Sequence, residues 1–162
     1  IKSKNIDDIN ELLYFIDTHN LNYPQIFRYL PNINPINPKN DPTISSTFSS
    51  KRLHPIYNQY KAHNGIDIVA PSKTPIYAAA AGSVKKAKFY NGSAGHSVVI
   101  HHKYGFQTKY FHLLFFIVKQ GDKVNKGDLI GYLGSTGGVT GAHLHFEVLK
   151  NDKHLNPIDF IN

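Results

Sequence analysis

The octapeptide GAHLHFEV, residues 141–148, narrows the folds open to this chain more than any other segment. Its strict alternation predicts a strand with His143, His145 and Glu147 on one face and Leu144, Phe146 and Val148 on the other. A row of imidazole, imidazole and carboxylate is costly to bury unless something binds it. That face is therefore wet, or it holds a metal. A Gly-rich run, GSTGGVTG, leads directly into it.

The same β-type texture extends over most of the chain. HSVVIHHKYGFQTKYFHLL reads as a hairpin, with strand 96–102, a turn at Lys103–Gly105 and strand 106–112. PIYAAAAGSVKKAKFY, residues 75–90, predicts a strand pair around Gly82, and GDKVNKGDLIGYLG, residues 121–134, predicts short strands with Gly turns. The expected fold is mostly β, antiparallel, with short connections. The N-terminal part differs. Ile6, Ile9, Leu13 and Ile16 recur at helical spacing after a capping residue, Asn5, which predicts a helix over 5–19. YLPNINPINPKNDPT, residues 29–43, has no period and reads as an extended Asn/Pro arm. The chain is thus divided into an extension, residues 1–42, and a body, residues 43–162.

Composition removes several function classes. Cys is absent, which excludes disulfides and thiolate metal sites. No apolar run is long enough to span a membrane. The first residues are polar, and the chain starts at Ile and lacks Met, which reads as a processed or excised piece. The net charge of +7 comes almost wholly from Lys, with Arg28 and Arg52 the only arginines. A basic surface suits an anionic partner such as a cell-wall polymer. Scarce Arg argues against specific nucleic-acid reading.

A metal needs ligands from more than one strand, and KAHNGIDIVAP supplies them as His63 and Asp67. On a straight strand these residues stand roughly 13 Å apart, too far for one ion with bonds of about 2.0–2.2 Å. The chain must bend between them, and Gly65 permits it. His63, Asp67 and one of His143 and His145 make two imidazoles and a carboxylate, a set that suits Zn²⁺ with one position left open. Spacing leaves open which of His143 and His145 is the ligand. The other would be poised to move protons, and His112, in YFHL, is a second candidate for that work. The remaining histidines, His19, His54, His96, His101, His102 and His154, read as structural.

HNGID (63–67), YFHL (110–113) and HLHFE (143–147), in this order, resemble the lysostaphin-type zinc metallopeptidases that cut peptidoglycan cross-links. The resemblance covers most of 43–162 and implies that family's barrel-sandwich-like antiparallel fold with a substrate groove. It implies one Zn²⁺ per chain on His63, Asp67 and His145, with His112 and His143 flanking the attacking water. In that scheme Glu147 is placed to orient a ligand histidine through its second nitrogen. Tyr57 or Tyr60, just before His63, is a candidate phenol for the oxyanion.

The resemblance also implies peptidoglycan stem peptides as substrate and a place in the cell envelope, periplasmic or extracytoplasmic. An N-terminal inner-membrane anchor would lie outside this chain. The D-Ala–diaminopimelate bond is the expected target, because no wall-binding module accompanies the catalytic part. A related peptidase-like subunit is a partner class found among such enzymes. The competing reading is a silent or autoinhibited wall-binding regulator of another hydrolase, but that calls for a damaged ligand set and this set is intact. GDKVNKGDLIGYLG also resembles the hairpins of lipoyl and biotin carriers, which have no use for HNGID or HLHF.

Overall fold

The computed structural model describes residues 26–53 and 60–161. The predicted helix over 5–19 therefore lies outside the described residues. Among the described residues twelve strands follow in chain order: β1 Thr43–Ser46, β2 Ser49–Leu53, β3 Tyr60–His63, β4 Ile66–Val69, β5 Pro75–Tyr77 and β6 Gly82–Tyr90. Then come β7 Gly95–His101, β8 Phe106–Phe116, β9 Lys123–Val124, β10 Leu129–Leu133, β11 Leu144–Lys150 and β12 Lys153–Leu155.

The main sheet runs β1-β4-β11-β8-β7-β6-β9, with β10 bridging β8 and β5, and β12 lying on β11. β2 and β3 form a separate two-stranded sheet. Every pairing is antiparallel. The hairpin over 95–116 forms as its alternation predicts. The segment 75–90 also gives two strands, β5 and β6, but they do not pair with each other. β5 joins β10 and β6 joins β7 and β9, because the buried run Ala78–Ala81 carries the chain between them.

The core is made of inward-facing residues of the central strands. Ile66, Ile68, Val98, Ile100, Tyr110, Leu144, Phe146 and Val148 are all fully buried. Each such side chain contributes about 1.5–3 kcal/mol of transfer free energy. Burial of Leu144 and Phe146 turns the intervening His145 to the opposite face, as the alternation in HLHFE requires.

The Asn/Pro arm is docked on the body. Ile36 is fully buried in the same core cluster. Ala81 N–H donates to the Arg28 carbonyl at 2.8 Å, and Tyr77 N–H to the Pro35 carbonyl at 2.9 Å. Lys126 Nζ donates to the Phe27 carbonyl and the Asn32 side chain. Asn34 and Asn37 cap their own turns through Ile36 N–H and Lys39 N–H, each at 2.9 Å. These bonds satisfy a segment that has no ladder of its own.

Candidate metal centre

The first two members of the centre flank a break between sheets. β3 ends at His63 and β4 begins at Ile66, so the chain does bend at Asn64–Gly65. Gly65 is needed there because β11 lies against it. A Cβ on Gly65 would stand 2.3 Å from the Phe146 carbonyl oxygen and 3.0 Å from His145 Nε2. β11 then brings the third member, since His145 is the direct cross-strand partner of Asp67.

The donor atoms converge. His63 Nε2 lies 3.1 Å from Asp67 Oδ1, and His145 Nδ1 lies 2.8 Å from the same oxygen. The two ring nitrogens are 3.1 Å apart. Their outer partners fix what they offer. His63 Nδ1 donates to the Thr47 carbonyl at 2.8 Å, so Nε2 presents a lone pair. His145 Nε2 donates to Glu147 Oε1 at 3.2 Å, so Nδ1 presents another. Two lone pairs and a carboxylate oxygen aimed at one point repel each other unless a cation joins them. Three donors at bonds of about 2.0–2.2 Å in a tetrahedron stand about 3.3–3.6 Å apart. The observed separations fall a few tenths of an ångström short of that, and His63, Asp67 and His145 therefore fit Zn²⁺.

The electrostatics agree with a cation site. Burial alone would raise the Asp67 carboxyl. Hydrogen bonds and charge from His145 and His63 outweigh it and hold the group well below the usual carboxylate range. Burial likewise opposes protonation of His145, but the bonds to Asp67 and Glu147 prevail and raise its pKa.

His143 and His112 stand beside this centre. His143 Nε2 is 3.8 Å from Asp67 Oδ1, and the His112 and His143 rings are 4.8 Å apart. Both rings are oriented by backbone carbonyls. His143 Nδ1 donates to Gly141 at 3.0 Å and His112 Nδ1 to Thr136 at 2.9 Å. Each Nε2 is left as a base. Burial pushes the His112 pKa down to about 4; the bond to Thr136 resists this, and the neighbouring His143 and His145 add to it.

His112 reaches the groove through an irregularity in β8. Val98 pairs with Tyr110 and His96 with Leu113, so two steps on β7 face three on β8. His112 is the bulged residue and adopts a left-handed φ of 65°. Here β8 also changes partner, from β11 at Phe111 to β10 at Leu113. The sheet opens at that point into a cavity of about 320 Å³, lined by His63, Asp67, His112, His143, His145 and Glu147.

Glu147, expected to orient a histidine of the centre, accepts from His145 Nε2. Tyr57 lies outside the described residues, and Tyr60 is placed only by its backbone in β3. The loop GSTGGVTG is a brace as well as a turn. Thr136 Oγ1 donates to the Leu113 carbonyl at 2.7 Å and accepts from His96 N–H at 2.9 Å. Among the structural histidines, His102 is buried between the Ala81 carbonyl and Thr108 Oγ1. Two supporting residues were not legible in the sequence. Lys109 and His154 both reach Glu147, and only strand register brings them there.

Known proteins resemble this chain in sequence and fold. The sequence profile of peptidase family M23 matches residues 61–157. The peptidoglycan DD-endopeptidase ShyC of Vibrio cholerae is 51% identical over 114 residues, which cover 70% of this chain and 26% of that protein. A zinc-containing peptidase from Vibrio cholerae superposes with a TM-score of 0.72 at 35% identity, covering 80% of this chain and 39% of that one. The catalytic domain of the antimicrobial peptidase lysostaphin from Staphylococcus simulans superposes with a TM-score of 0.65 at 28% identity, over 75% of this chain and 92% of that domain. The chain spans about a quarter of the length of the curated relatives it matches. The match takes in all three sequence motifs, each of them lining one groove. On these grounds the chain belongs to peptidase family M23, the lysostaphin-type metallopeptidases.

Proposed function

We propose that this chain is the catalytic part of a zinc-dependent endopeptidase that hydrolyses peptide cross-links of bacterial peptidoglycan. The observation that carries the reading is the convergence of His63 Nε2, Asp67 Oδ1 and His145 Nδ1, each with its lone pair facing in. In this reading residues 43–162 carry the catalysis and residues 1–42 are an extension. One Zn²⁺ held by these three side chains would polarise the scissile carbonyl and acidify a water.

The chain's own bases do the proton work. His143 and His112 have Nδ1 engaged by carbonyls and line the groove, and one takes a proton from the attacking water through Nε2. The C–N bond then breaks and the leaving amine receives a proton from the same pair. Burial holds the His112 pKa at about 4, so its ring is neutral at working pH. None of residues 26–42 lines the groove, so within the described residues the arm leaves it free.

Resemblance to a DD-endopeptidase supports the D-Ala–diaminopimelate cross-link as the bond cut, and a place in the cell envelope where murein is found. The test measures zinc content and release of cross-linked muropeptides for wild type and His145→Ala. About one zinc per chain, with cleavage lost in the variant, supports the reading, and product mass names the bond. A wild-type protein that binds no zinc would sink it.

A further inference from the structure

We propose that Lys109, Glu147 and His154 form a positioning network that fixes which nitrogen of His145 faces the metal centre, and so sets how tightly the centre holds its ion. The inference rests on the metallopeptidase reading above. Glu147 is only 5% exposed, and its two oxygens divide their work. Oε1 accepts from His145 Nε2 at 3.2 Å. Oε2 takes Lys109 Nζ at 2.8 Å and His154 Nε2 at 3.0 Å.

Register assembles these groups. Lys109 of β8 is the direct cross-strand partner of Glu147. His154 of β12 pairs with Leu149 and reaches Glu147 on the diagonal. An ammonium has donors only, so Lys109 fills Oε2 as a donor and leaves Oε1 to accept from His145 Nε2. In the neutral ring, Nδ1 is then a lone pair, and Nδ1 is the atom beside Asp67 and His63. Phe111 stacks on the ring at 5.6 Å and 3°, which holds its plane. His63 is fixed by a backbone carbonyl that no substitution removes. His145 is held by side chains, so its control can be taken away.

A plain structural role for the same residues would be a buried ion pair clamping β8 to β11. The two roles differ at one atom, the proton on His145 Nε2. The experiment uses the whole chain. Zinc affinity is read by competition with a chelator of known strength, and the His145 Nε2–H is followed by NMR in zinc-free and zinc-loaded protein. For Glu147→Gln we expect zinc affinity to fall about 10- to 100-fold. The Nε2–H should exchange with solvent at least about tenfold faster. Lys109→Met and His154→Phe keep the carboxylate and should give the same changes at smaller size; Lys109→Arg should restore wild-type affinity. These two variants carry the test if Glu147→Gln does not fold. Unchanged affinity and unchanged Nε2–H exchange in folded variants would overturn the network, even if their melting temperatures drop. A wild-type protein without zinc affinity, but with an Nε2–H that depends on Glu147, would instead overturn the metal reading and the network's effect on affinity with it, leaving only the positioning of the ring.

Discussion

Gly65→Ala tests how the centre is assembled, because the substituted atom touches no reactant. An added Cβ would lie 2.3 Å from the Phe146 carbonyl oxygen, where real Cβ contacts essentially never fall under 3.0 Å. The β3–β4 corner must therefore move away from β11 by roughly 0.7 Å or more. A shift of that size along the line between His63 and His145 would take their nitrogens, now 3.1 Å apart, to about 3.8 Å, past the roughly 3.3–3.6 Å of a tetrahedral zinc site. Overpacking of this kind costs about 1–3 kcal/mol. Borne by the loaded state, it weakens zinc about 5- to 150-fold. Borne by the fold, it lowers the melting temperature by about 2–12 °C for a chain of this size. Chelator competition and a thermal melt with and without zinc divide the two. Gly92→Ala is the control, since nothing lies within 4 Å of its added Cβ. If Gly65→Ala binds zinc within about twofold of wild type and melts with Gly92→Ala, the close approach does not assemble the centre.

Two further outcomes follow from the same geometry. His112→Asn removes the base but keeps a residue type that tolerates the left-handed φ of 65°. Muropeptide release should fall about 10²- to 10⁴-fold while zinc content and melting temperature stay at wild-type values, and a loss under about tenfold would remove His112 from the chemistry. His102 concerns acid stability. Burial holds its pKa in the folded protein at about 4, against an ordinary value of 6.5, so the unfolded chain binds the proton more readily in between. Stability contributed by neutral His102 is complete above pH 6.5 and is lost as pH falls to about 4, with a ceiling of about 3 kcal/mol. Denaturant melts over that range should be less steep with pH for His102→Gln, and equal slopes would exclude this residue as a source of acid lability.

Much of the site was written in local pattern. Alternation in HLHFE turns His145 and Glu147 to one face because Leu144, Phe146 and Val148 must be buried, and this holds wherever the strand sits. Gly65 marked a break between His63 and Asp67, since two ligands four residues apart cannot meet on a straight strand. The hairpin expected over 96–112 announced itself by its turn and its two apolar runs, and β8 runs on to Phe116. These inferences use only neighbours in sequence, where sterics and the pleat fix geometry.

What the tertiary structure alone decided lies in relations between strands. Spacing left His143 and His145 open as neighbours of Asp67; register between β4 and β11 sets His145 directly opposite it, and a shift by two positions would put His143 there instead. His112 faces the groove because β8 bulges where it exchanges β11 for β10; plain alternation would have turned it inward with Tyr110. Lys109 and His154 meet at Glu147 from two other strands, a coincidence of register with no local trace. The Asn/Pro arm has no period to read, yet Ile36 is buried in the core because the body leaves it an apolar seat. Local sequence selects the face a side chain takes. Pairing register, which depends on hydrogen bonds between residues distant in sequence, selects what that face meets.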